Sequence, residues 1–156
     1  MKIKTVLLLT ISLIIFPISV TLAVERCIMC GMDAAKSETK FVAQVIEGTR
    51  DVPPGKYSFC CLHCVVLFRA WLKGGKIGFI LVRDYSTVTH QGYDSEEIID
   101  ARNAFYLVES GLRPRGSMVP FMVVFSTREI GERYRRVYGG RILNWKEIWK
   151  YTESYR

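Results

Sequence analysis

Past its first residues, the chain switches repeatedly between two hydrophobic periods. Lys40–Gly48, KFVAQVIEG, alternates in part and is rich in Val and Phe, which predicts a strand. Arg50–Lys56, RDVPPGK, combines two prolines with a glycine and reads as a turn. Tyr57–Cys60 reads as a second short strand. The period then changes. In Leu62–Lys73, LHCVVLFRAWLK, Val65, Phe68 and Leu72 recur at helical spacing with Arg69 and Lys73 facing out, and Gly74-Gly75 ends the helix.

Ile77–Tyr85 is a near-continuous apolar run suited to a buried central strand. Ser86–Asp100 is polar and reads as irregular. Asn103–Ser110 and Phe121–Ser126 are predicted strands, separated by the Gly/Pro loop Gly111–Pro120. Ser126 and Glu129 stand at capping-box spacing before a helix with Ile130, Tyr134 and Val137 on one face, and Gly139-Gly140 stops it. Arg141–Trp145 reads as a short strand and Lys146–Tyr155 as a terminal helix. Each half offers strands followed by a short helix, and strand and helix do not alternate regularly. The expected class is α+β rather than a doubly wound sheet.

The chain has 156 residues, 49% of them apolar, enough to bury a core without disulfide staples. Its start is different in kind. After Met1–Lys4 comes TVLLLTISLIIFPISVTLA, with no charge before Glu25. Residues 1–23 read as a secretory signal ending at the small residue Ala23; the alternative is an uncleaved anchor over residues 5–24. Residues 24–156 then form one domain outside the cytoplasm. Losing residues 1–23 removes Lys2 and Lys4 and no acid, lowering the formal charge from +7 to +5. The basic excess is concentrated from Arg128 to the end. In an exported protein this points to an anionic membrane surface or an acidic partner rather than nucleic acid, or to a face that simply serves solubility.

All five cysteines fall in two groups, Cys27 and Cys30 in CIMCGM and Cys60, Cys61 and Cys64 in FCCLHC. Three uses compete. Disulfides suit the compartment, but the number is odd. A redox pair, Cys27 and Cys30, would make the chain a thiol–disulfide oxidoreductase, yet no strong helix follows it. A metal site needs what is here: a Cys-x-x-Cys knuckle with Gly31 at positive φ, and a second pair at a helix start, Cys64 with Cys60 or Cys61. Four thiolates in this treble-clef plan suit zinc. The thioether of Met32 is instead a ligand for Cu(I). Met118, in RGSMVP, has little core to fill and reads equally as ligand or loop packing. Met122 reads as core and Met29 as incidental. His63 lies between cysteines and His90 in a polar loop. With neither a nucleophile elbow nor a phosphate-cradling glycine loop, there is no positive case for an enzyme.

CGMD at Cys30–Asp33, IIDARNAFYLVES at Ile98–Ser110, GSMVPFMVVFS at Gly116–Ser126 and YGGRILNWKEI at Tyr138–Ile148 occur in this order. In these stretches the chain resembles the NosL family, periplasmic copper-binding accessory proteins of nitrous oxide reductase assembly. The resemblance implies an α+β fold of two small ββαβ-type units, similar to the mercury-binding domain of organomercurial lyases. It implies Cu(I) held by Cys30, Met32 and Met118, with a client protein or membrane complex receiving the metal. Two features depart from the family. Cys27 follows VER, which is not a lipidation box, and FCCLHC carries cysteines where the family commonly has acidic residues. The functional expectation is an exported Cu(I) metallochaperone without catalysis; the alternatives are a structural zinc domain and the thiol–disulfide enzyme.

Overall fold

The computed structural model describes residues 25–88 and 98–154. The signal or anchor at residues 1–23, His90 and the end of the predicted terminal helix at Tyr155 lie outside them. Two antiparallel sheets make the frame. The first unit runs β1 (Phe41–Glu47), β2 (Gly55–Phe59), α1 (Leu62–Trp71), β3 (Lys76–Arg83) and β4 (Ile98–Asp100). The second runs β5 (Phe105–Val108), β6 (Met122–Phe125), α2 (Arg128–Tyr138), β7 (Arg141–Leu143) and α3 (Trp145–Glu153). The strand orders are β2-β1-β3-β4 and β6-β5-β7. In both units the first strand is central, the second pairs on one side, and the third returns after a helix to the other side. The expected pair of ββαβ units is what forms.

The first register is set by Phe41 opposite Phe59 on one side and Val82 on the other. These residues, with Ala43 and Val45, face inward and are buried, while Val42 and Gln44 are half-buried on the opposite face. In α1, Val65, Phe68 and Leu72 are buried as their spacing requires, and Phe68 packs edge-on against Phe59 at 5.0 Å. The second sheet has no polar face. Tyr106, Val108, Met122 and Val124 join the main core, while Leu107, Val123 and Phe125 face Ile130, Tyr134 and Ile142 under α2. Met122 is core, as read.

Three expectations need correction. Ile98–Asp100, assigned to an irregular segment, pairs with Leu81–Arg83 as an edge strand. The cap of α2 is Thr127, whose side chain accepts from Ile130 N–H; Ser126 instead donates its backbone N–H to Asp84 at 2.9 Å. Val137 is 74% exposed: Gly131 is the buried contact of α2, where a Cβ would come within 2.9 Å of Ile142, and the last turn stacks Tyr138 on Tyr134.

Asp84 joins the two units. It is fully buried, and its carboxylate also accepts from Ser86 N–H at 2.9 Å and from the Ser86 hydroxyl at 2.7 Å. Replacing Asp84 by Ala leaves these half-buried donors without their acceptor. We expect a loss of about 2 kcal/mol and a melting midpoint lower by about 8 °C for a domain of this size, read by thermal circular dichroism.

Candidate metal centre

The first cysteine group is a knuckle closed by its own backbone. Cys27 N–H donates to the Met32 carbonyl and Gly31 N–H to the Cys27 carbonyl, both at 2.8 Å. Gly31 has φ +74°, the left-handed conformation predicted for it. Arg26 and Asp33 pair across the base, and Ile28 N–H donates to Ser58 at 3.1 Å, which fastens the knuckle to β2. Glu25 adds a second clasp by accepting from Lys40 at 2.7 Å and from the Ser58 hydroxyl. Burial pushes this carboxyl up, but the Lys40 and Ser58 hydrogen bonds outweigh it and hold it below the usual range.

The second group straddles a strand–helix junction. Cys60 follows β2, Cys61 is the N-cap of α1, and Cys64 lies in its first turn. The two groups meet. The sulfurs of Cys27, Cys30, Cys60 and Cys64 all lie within 4.8 Å of one another. Cys30 Sγ is 3.4 Å from Cys60 Sγ, which is 3.6 Å from Cys64 Sγ. Cys61 Sγ lies 3.8 Å from Cys60 and 3.9 Å from Cys64. The Cys64 thiol also donates to Met118 Sδ at 3.8 Å. Cys27, Cys60, Cys61 and Cys64 are at most 2% exposed; Cys30 is the exposed thiol.

A short polar segment that the sequence did not single out holds these parts together. Ser37 and Thr39 hydroxyls donate to the Cys60 carbonyl at 2.5 and 2.8 Å, fixing the turn before α1. Glu38, 6% exposed, accepts from Arg115 N–H at 2.9 Å and Arg115 Nε at 2.6 Å, and its own N–H donates to the Arg115 carbonyl. This ties the loop bearing Met118 to the chain that leaves the knuckle. Arg83, from β3, donates to the Ser37 and Ala35 carbonyls. Gly116, φ +68°, lets the loop approach: a Cβ there would sit 2.9 Å from Ser37 Cα. The only sequence signal was three polar residues, Ser37-Glu38-Thr39, directly before an apolar strand.

Packed sulfurs do not titrate independently. Thiol donation from Cys60, then Cys64, pulls the Cys27 thiol far down, and donation from Cys60 brings Cys61 down to about 3. Donating to those thiolates pushes Cys60 and Cys64 up. Thiolates packed this closely repel one another, so the cluster needs a cation to ionise fully. Its geometry fits one. Metal–sulfur bonds of about 2.3 Å give tetrahedral sulfur–sulfur edges of about 3.8 Å; within the four-sulfur set Cys30–Cys60 is 3.4 Å and Cys60–Cys64 3.6 Å, and no pair is farther apart than 4.8 Å.

The NosL family model matches residues 17–152. The chain belongs to the NosL family. A crystal structure described as that of the copper chaperone NosL from Shewanella denitrificans has a TM-score of 0.60 against it at 20% identity, covering 78% of this chain and 87% of that one. No curated protein matches. The NosL fold thus brings together six of the seven residues read as ligands: Cys27, Cys30, Cys60, Cys61, Cys64 and Met118. The seventh, Met32, gives its carbonyl to the knuckle, and its side chain is 37% exposed. Of Cys60 and Cys61, between which the sequence left the choice open, Cys60 lies in the four-sulfur set and Cys61 touches that set from one side. His63 is half-buried on the first turn of α1.

Proposed function

We propose that this NosL-family chain is an exported Cu(I) carrier that hands its ion to a client by ligand exchange. One observation carries the reading: five thiols and the Met118 thioether, from three distant segments, converge in one cluster. Soft thiolates suit Cu(I), and the added thioether favours it over zinc. Cys30 and Met32 stand at the exposed edge beside Ile28, which is 45% exposed. An incoming thiolate or thioether would displace Cys30 first, and the buried sulfurs would hold the ion until the new bond forms. The exchange asks neither an acid–base pair nor a nucleophile of this chain, and we read the chain as a carrier rather than an enzyme. Nitrous oxide reductase assembly is the client pathway the family suggests. Anaerobic titration against a Cu(I) chelator tests binding: the reduced protein should take Cu(I) from the chelator, and failure to compete would refute the carrier.

A second reading has its own support. The four-thiol set within 4.8 Å is also what a structural zinc requires. The domain would then dock through the basic surface of its C-terminal part. The disulfide-exchange reading gains less: Cys27 is buried in a knuckle and opens no helix.

Export rests on residues 1–23. Cleavage after Ala23 gives a mature protein beginning at Val24, and intact mass measured on membrane and soluble fractions should find that chain. A full-length mass confined to the membrane would instead assign residues 5–24 as an anchor.

A further inference from the structure

The cluster contains more sulfur than one Cu(I) can use. Cys27, Cys30, Cys60 and Cys64 form a complete set, and Cys61 stands outside it. Yet Cys61 lies 3.8 Å from Cys60 and 3.9 Å from Cys64, which are 3.6 Å apart. These sulfurs make a nearly equilateral triangle. Its centre is about 2.2 Å from each corner, close to a metal–thiolate bond of about 2.3 Å. The triangle shares its Cys60–Cys64 edge with the four-sulfur set. Its three residues are at most 2% exposed. Helix α1 begins there with no acidic residue in its first turn and no side chain capping its N–H groups, so its positive end faces the sulfurs.

We infer that the cluster holds a thiolate-bridged pair of Cu(I) ions, one at the Cys27–Cys30 end and one in the Cys60–Cys61–Cys64 triangle. Cys60 and Cys64 bridge them, with Met118 beside Cys64. This rests on the copper reading above and deepens it. A second Cu(I) brings one positive charge and the Cys61 thiolate beside it one negative charge, so ion and ligand cancel within the buried triangle. It would stay as a reserve in the closed triangle while the Cys30 end exchanges its ion.

The test is an anaerobic titration of the reduced protein with Cu(I) supplied as its acetonitrile complex, beside Cys61→Ser. Serine is among the best N-cap residues, so the helix start is kept. The parent should end at two Cu(I) per chain and Cys61→Ser at one, and copper X-ray absorption should show a short copper–copper vector in the loaded parent alone. An endpoint of one in the parent overturns the pair and leaves the carrier standing. No tight copper at all overturns both. An endpoint of two in Cys61→Ser, or a loaded parent without the copper–copper vector, removes the triangle from the site.

Discussion

Cys64→Ser should abolish tight metal binding and the stabilisation that the metal gives the fold. Cys64 is at the centre of the cluster, 3.6 Å from Cys60, 3.9 Å from Cys61 and 3.8 Å from Met118, and it is 1% exposed. A hydroxyl of similar size is a hard, weakly acidic replacement for a soft anion. Loss of a supporting residue outside the ligand set already costs roughly 10–100-fold in metal affinity, so loss of this sulfur should cost at least about 100-fold. Binding free energy at a thiolate site becomes folding free energy, on the order of 10 kcal/mol for structural zinc, comparable to a small domain's whole stability. The parent's melting midpoint should therefore rise steeply with added metal, and that of Cys64→Ser should not move. An equal rise in both would show that Cys64 is not a ligand.

Met118→Leu should separate a soft ion from a borderline one. The loop bearing Met118 is clasped by Glu38 and Arg115, and its sulfur lies 3.8 Å from Cys64 across 54 residues of chain. Leucine keeps the volume and removes the sulfur, so the fold should hold. A thioether adds little to zinc and a useful bond to Cu(I). Cu(I) affinity should fall at least roughly 10-fold while zinc affinity is unchanged. A chelator competition reads the first and a zinc titration the second. Equal Cu(I) affinity in both proteins would remove the loop from the site.

What could be read in advance depended on how local the signal was. The cysteine groups were legible because each acts within a single turn: Gly31 takes its positive φ, and Cys61 and Cys64 fall where a strand gives way to a helix. Contact between Met118 and Cys64 was not written in any window. It depends on both sheets forming and on Gly116 packing over Ser37; only the family resemblance pointed there. The brace of Ser37, Glu38, Thr39 and Arg83 was missed because buried polar residues look like any polar loop until their partners are known. In β5 and β6, core on one side and α2 on the other leave no polar face, so the strand period carried no information about which residue faces which layer. Similar residues at adjacent positions misled the cap of α2, where Ser126 had a better partner in Asp84.

Competition between the two metals on one sample tests the copper reading most directly. Reduced protein loaded anaerobically with Zn(II) is given stoichiometric Cu(I), and bound and released metals are then counted. Five thiols with a thioether beside them should favour the softer ion, so Cu(I) should be retained and zinc released in full. Zinc that stays bound while Cu(I) remains in solution would contradict a copper carrier and assign the cluster to structure.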